Sequence, residues 1–128
     1  MAITGMNHFN ILTDDVPRTV AFYRDLLGLV EGERPDLGFA GAWLYAAGEP
    51  VLHVSGGHAK DALKPGVIDH MAFSARDLDG TLARLRAGGI EYTCRQQVGT
   101  RVWQVFVRDP NGARVELDFA PHERSGAA

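Results

Sequence analysis

Apolar and polar positions alternate along this chain with two different periods, and the order of those periods repeats. Met6–Leu12 puts His8 and Asn10 on one face and Phe9 and Ile11 on the other, the two-residue period of a strand. Asp14 and Asp15 then offer N-caps, and Pro17 suits a first helical turn. Val16, Val20, Tyr23 and Leu27 recur at helical spacing up to a stop at Gly28. Three short strands follow between Gly/Pro turns, around Leu29–Glu33, Gly41–Ala46 and Pro50–Val54. The second half has the same succession. A strand over Ile68–Ala75 leads to an Asp77 cap and a helix striped by Leu78, Leu82 and Leu85 that stops at Gly88-Gly89. Strands near Ile90–Arg95, Val102–Arg108 and Ala113–Phe119 come next, the last two joined by the turn Asp109-Pro110-Asn111-Gly112. The predicted fold is α+β. Two tandem β-α-β-β-β modules, 3–55 and 67–119, share one domain over 1–120, with Gly56–Gly66 as linker and 121–128 as a flexible tail.

The repeat aligns ligand-type side chains. Matching Met6-Asn7-His8-Phe9 with Ile68-Asp69-His70-Met71 carries His8 onto His70 at an offset of 62 residues. Matching Trp43–His53 with Trp103–Glu116 carries His53 onto Glu116, at an offset that grows from 60 to 63 and implies a turn three residues longer in the second half. Alternation in the last strand sets Glu116 with Arg114 and Asp118, opposite Val115, Leu117 and Phe119, which need a helix over them. His53 likewise shares a face with Val51 and Ser55, and His70 with Ala72 and Ser74.

Composition narrows the classes of function. The chain has 128 residues, 45% of them hydrophobic and 23% charged, which is ordinary for one globular domain. A net charge of −3 and a pI near 5.9 offer no basic surface to nucleic acid or to a membrane. A single cysteine, Cys94, forms no internal disulfide, and no apolar run approaches a membrane span. Met1–Gly5 carries no secretory n-region, so a cytoplasmic location is expected.

His8, His70 and Glu116 make a two-histidine, one-carboxylate set, which leaves coordination positions open on a divalent ion such as Fe, Mn, Ni or Zn. Neither residue type needs a costly deprotonation near neutral pH to bind metal. His53 is a possible fourth ligand, an acid/base group or a lining residue. Asn10, Tyr45, Arg101, Trp103 and Gln104 are the candidate pocket residues. Trp43 and Trp103, taken as repeat equivalents, suit packing better than substrate stacking.

The duplicated module, the two strand histidines and the ending Asp109-Pro110-Asn111-Gly112 followed by Glu116 resemble the vicinal oxygen chelate superfamily. This group includes glyoxalase I, extradiol ring-cleaving dioxygenases, fosfomycin-resistance enzymes and bleomycin-binding proteins. The resemblance runs from about Ile3 to Phe119. It implies curled mixed sheets around a central metal cleft, His8, His70 and Glu116 as the metal residues, His53 and Glu116 as the catalytic ones, a small-molecule substrate and a homodimer. In glyoxalase I the position of His53 is a ligating Glu, whereas extradiol enzymes use a His in that region for acid–base steps. Extradiol-type chemistry is therefore slightly favoured, although Phe106 stands where that group often has Tyr and Gln96, Gln97, Arg101 and Gln104 replace its upstream His. A glyoxalase-type lyase or isomerase is the first alternative. A metal-free binding protein of the bleomycin-resistance kind is the second. A phosphonate pocket would have only Arg95, Arg101 and Arg108 to draw on.

Overall fold

A computed structural model of the chain describes residues 2–124. They fall into two compact units that part between Leu63 and Lys64. Each unit carries one four-stranded mixed sheet and one principal helix, the α+β class with a duplicated β-α-β-β-β order. In the first unit β1 (Phe9–Leu12) runs parallel to β4 (Glu49–Ser55). Antiparallel pairings then add β3 (Gly41–Ala46) and β2 (Val30–Gly32), for the order β1-β4-β3-β2. In the second, β5 (Met71–Ser74) runs parallel to β8 (Arg114–Phe119), followed by β7 (Trp103–Arg108) and β6 (Tyr92–Gln96), for the order β5-β8-β7-β6.

Register corrects the repeat. Trp43 lies opposite His53, and Phe106 lies opposite Glu116. Leu44 pairs with Leu52 and Val107 with Val115, so the two hairpin ends are equal in length and a single offset of 63 serves both. The three-residue longer turn does not exist. Trp43 corresponds to Phe106, not to Trp103. Matching two rare tryptophans gave the wrong phase, because pairing register, not residue identity, sets equivalence in a sheet.

The opening strands are shorter than the alternation suggests. β1 begins at Phe9 and β5 at Met71, so His8 and His70 each stand one residue ahead of the ladder, both exposed. In the first unit Pro50 has no N–H with which to extend the pairing. In the second, β8 starts only at Arg114, after the turn in which Asp109 Oδ1 accepts from Asn111 N and Ala113 N at 2.8 Å each.

The first helix starts as expected and then changes. α1 (Val16–Ala21) is capped by Asp15, whose Oδ1 accepts from Arg18 N at 3.1 Å, but Phe22–Leu26 continues as a π-helical turn. Two successive aromatics are buried in this turn. Phe22 and Tyr23 are 5% and 0% exposed, edge to face at 5.1 Å. Gly28 closes the element at φ +82°, with Leu29 N donating to Tyr23 O at 2.9 Å. α2 (Leu78–Ala87) buries the expected stripe of Leu78, Leu82 and Leu85 together with Thr81. Val115, Leu117 and Phe119 are buried on alternate positions of β8, as are Leu52 and Val54 on β4.

The chain end is held further than expected. Pro121–Glu123 forms a 3-10 turn, and the two carboxylate oxygens of Glu123 accept from Asp77 N at 2.9 Å and Leu78 N at 3.2 Å. Arg124 pairs with Asp79 at 2.9 Å, and its carbonyl accepts from Trp103 Nε1 at 3.3 Å. Residues 121–124 are therefore tied to α2 and β7, a correction to the flexible tail, because a distant acid satisfies free N–H groups of a helix start. Residues 125–128 of that expected tail lie outside the described residues. Glu123→Ala should lower stability by about 1 kcal/mol, seen as a drop in Tm of a few degrees that Glu123→Gln largely avoids. An unchanged melt would remove the clasp from the account. Among the described residues no helix is long and apolar enough to cross a membrane.

Candidate functional site

Each unit assembles its own polar set on the sheet face opposite the buried aliphatic residues. In the second unit His70 Nε2 is 3.0 Å from Glu116 Oε1, and Glu116 is 7% exposed. The Nδ1 of the same imidazole is 2.7 Å from Asp69 Oδ2, which also takes Arg114 Nη1 at 2.6 Å. Hydrogen bonding to His70 and then to Arg114 holds the Asp69 carboxyl below its ordinary range. Gln104 Nε2 donates to Glu116 Oε2 at 3.2 Å, and Arg95 Nε donates to Gln104 Oε1 at 3.3 Å. The Phe106 ring lies under both guanidinium groups, 4.3 Å from Arg114 and 5.3 Å from Arg95.

Asp118 completes this face. A hydrogen bond from Asp118 is the main reason that the Glu116 carboxyl sits below its ordinary pKa. Asp118 itself is pushed up to about 6, first by burial and then by Glu116. Glu116 therefore ionises first and Asp118 last, the division expected of two acids sharing a site. Between the ordinary Asp value of 3.8 and about 6 the folded metal-free protein thus binds more protons at Asp118 than the unfolded chain does, so this group's contribution to stability falls as pH rises through that window. Asp118→Asn lacks the titration. Melting metal-free protein against pH should show the variant gaining on the wild type between about pH 4 and pH 6. A pH-independent difference would contradict the raised Asp118 pKa.

In the first unit three rings form a stack. His53 lies between His8, at a centroid distance of 3.7 Å and 14° between planes, and Trp43, at 4.1 Å and 8°. The His8 Nδ1 is 2.7 Å from Asn7 Oδ1, which repeats the His70–Asp69 contact at the equivalent place. Burial first, and then the nearness of His8, pushes the His53 pKa down. Its Nε2 is buried and has no hydrogen-bond partner. Parallel stacked imidazoles direct their in-plane lone pairs side by side and not toward one point, so in this arrangement His8 and His53 do not share an ion.

The other candidates separate cleanly. Asn10 accepts from Ser55 Oγ at 2.9 Å and lines a cleft of about 240 Å³ together with Trp43, His53 and Arg34. Trp43 is thus a cleft wall, contrary to the packing role expected for it. Tyr45 is spent elsewhere, its hydroxyl donating to Glu33 O at 2.6 Å. Trp103 is 3% exposed and packs under Arg124, so it belongs to the core. Arg101 is exposed in a loop at φ +64°. Gln104 acts on Glu116 and not on an open pocket. Among the described residues no three His, Cys, Asp or Glu side chains gather as a ready metal cage; the structure shows the pairs His8–His53 and His70–Glu116.

Several residues of these faces were not singled out by pattern. Asn7 and Asp69 carried a signal, since each precedes its histidine in the repeat. Asp118 shares the Glu116 face by alternation. Arg34 and Phe39 lie in the loop between β2 and β3, where no periodicity points to them.

Each of the two β-α-β-β-β units presents a polar face on its own sheet, a duplicated plan shared with known proteins. The chain belongs to the Glyoxalase/Bleomycin resistance protein/Dioxygenase superfamily, whose family model matches residues 5–117. It is 28% identical over 122 residues to Glyoxylase I 4 of Arabidopsis thaliana, covering 90% of this chain and 70% of that protein. A Bacillus anthracis protein described as of the glyoxalase family superposes with a TM-score of 0.77 at 22% identity, over 94% of this chain and 98% of that one. A mutant of the fosfomycin resistance protein FosX of Listeria monocytogenes, complexed with Mn(II) and 1S,2S-dihydroxypropylphosphonic acid, does so at 0.75 and 20% identity, over 93% and 94% of the chains. These two structural likenesses show the fold.

Proposed function

We propose that this chain is a divalent-metal-dependent lyase or isomerase of the glyoxalase kind, acting on a small substrate that offers two neighbouring oxygens. The observation that carries the reading is the matched restraint of two histidines. His8 and His70 each tie Nδ1 to the side chain of the preceding residue, at 2.7 Å in both cases, and Glu116 lies 3.0 Å from His70 Nε2. Restraint of one ring nitrogen by an oxygen is how metal-binding imidazoles are oriented. His70 and Glu116 would hold the ion in the second unit, and His8 is the candidate ligand of the first unit through its equivalence to His70 and its identical restraint. This donor set suits Fe, Mn, Ni or Zn. His53 stands outside it.

When bound, the ion supplies Lewis-acid stabilisation of negative charge developing on a substrate oxygen. The protein's own groups handle position and protons. Gln104 fixes the orientation of Glu116 through Oε2. Glu116 is the carboxylate that takes up and returns a proton, with Asp118 as the neighbouring acid. His53 offers a neutral imidazole beside His8 as a second proton acceptor.

The sequence lean toward extradiol chemistry rests on His53 alone, and the similarity to Glyoxylase I 4 supports the lyase or isomerase reading over it. Protein loaded with Mn(II), Ni(II), Zn(II) or Fe(II) should isomerise a hemithioacetal and show no catechol-dependent oxygen uptake. The opposite pattern would replace this reading with the oxygenase. A homodimer belongs to the same proposal and is checked by size in solution.

A further inference from the structure

The loop between β2 and β3 gives the cleft of the first unit, which His8 also lines, three side chains that the metal reading does not use: Arg34, Leu37 and Phe39. Arg34 is half-buried there, one Nη donating to the Phe39 carbonyl at 3.1 Å while the guanidinium rests 4.9 Å from the centre of the Phe39 ring. No carboxylate lies within ion-pair distance of it among the described residues. Of the residues lining the cleft, Arg34 alone carries a permanent charge. The loop also leaves Leu37 and Phe39 47% and 49% exposed at the same cleft, beside Trp43. A Cβ at Gly41 would meet first the Val54 backbone oxygen and then an Arg34 nitrogen at 2.7 Å, so no side chain fits there beside the guanidinium.

A lone, uncompensated guanidinium flanked by exposed apolar side chains is a recognition arrangement for a planar anion with an apolar body. The planar fork matches a carboxylate and is stronger for being charge-assisted. A single cation balances a monoanion. Arg34 is the one permanent cation of the lining, where His8 and His53 are the other ionisable groups, so the charge that it balances on its own is a monoanion's and not a phosphonate dianion's. At about 240 Å³ the cleft is of a size to receive a small molecule or one end of a larger one.

We infer that this cleft selects a small carboxylic acid with a flat apolar body, and that Arg34 is the specificity-determining residue that takes its carboxylate. The inference names the substrate class of the site proposed above and rests on that reading only for the link to catalysis. Binding can be read without any metal, so the two stand or fall separately.

The test titrates EDTA-treated full-length protein with phenylacetate, its neutral isostere phenylacetamide and phenylphosphonate, following Trp fluorescence, with Trp43→Phe to assign the signal. Phenylacetate should bind about tenfold more tightly than phenylacetamide. Arg34→Gln should erase that preference while leaving Tm unchanged, and Arg34→Lys should restore it in part. Equal binding of acid and amide would overturn the inference. So would Arg34→Gln weakening both equally with a lowered Tm, the result expected if Arg34 only ties down its loop. Preference for phenylphosphonate over phenylacetate would overturn the monoanion assignment. Failure in any of these arms leaves metal retention by the wild type untouched, and failure to retain metal leaves the acid–amide preference untouched.

Discussion

Glu116→Ala lowers affinity for the divalent ion by on the order of a hundredfold or more while the protein stays folded. Losing an oxygen that merely orients a metal ligand already costs about ten- to a hundredfold in affinity, and Glu116 is proposed to touch the ion itself. The carboxylate cannot be replaced from within its own face. Asp118 is the nearest acid, but it sits one strand repeat further on, where burial raises its pKa to about 6. The fold should tolerate the change, because removing Glu116 also removes the charge that crowds Asp118 and leaves Gln104 with Arg95 as a partner. Glu116→Gln separates the two effects: the bond to Gln104 is retained in shape and the negative charge is lost. Competition for the ion against a chelating dye gives the affinity, and circular dichroism the fold. Unchanged affinity in Glu116→Ala would remove this residue from the metal set.

Leu52→Ala has the opposite profile. Leu52 is fully buried on β4, and its strand neighbour His53 faces the other way into the ring stack. Truncation leaves a cavity in the first unit and should destabilise it by about 2–5 kcal/mol. For a unit of this size that is a fall in Tm of on the order of 10 °C, measured by thermal melting of metal-free protein. Below the new Tm, metal affinity per folded molecule should match the wild type. Adjacent residues thus separate stability from function, as strand alternation requires. A shift of only a degree or two would mean that the helix side of β4 is packed differently from the structure described here.

Periodicity made the elements legible because burial imposes it. Leu78, Leu82 and Leu85 could be read as a helix stripe, and Val115, Leu117 and Phe119 as the inward side of a strand, since both patterns answer to one apolar face. The π turn at Phe22–Leu26 was not legible. Phe22 and Tyr23 are both buried in it, and no spacing rule anticipates the widened turn. Phase was the other gap. The tryptophans invited an alignment that only the pairing of Trp43 with His53 and Phe106 with Glu116 corrects.

For the site, residue chemistry and repeat position were enough to nominate His8, His70, Glu116 and His53. Their partners depend on what lies across the sheet or in loops. The bond from Gln104 to Glu116 follows from strand pairing, the Asp69–Arg114 contact from the parallel register of β5 and β8, and Arg34 from a loop that no pattern constrains. His53 looked like a choice between ligand, acid/base and lining. The stack with His8 and Trp43 favours proton handling or lining over ligation.

The most direct test of the central claim is metal content. Wild-type protein, stripped with chelator, dialysed against Mn(II), Fe(II), Ni(II) or Zn(II) and then analysed for metal, should retain roughly one ion per chain of at least one of these metals. Retention of none of the four would contradict the metalloenzyme reading and leave a metal-free ligand-binding protein in its place.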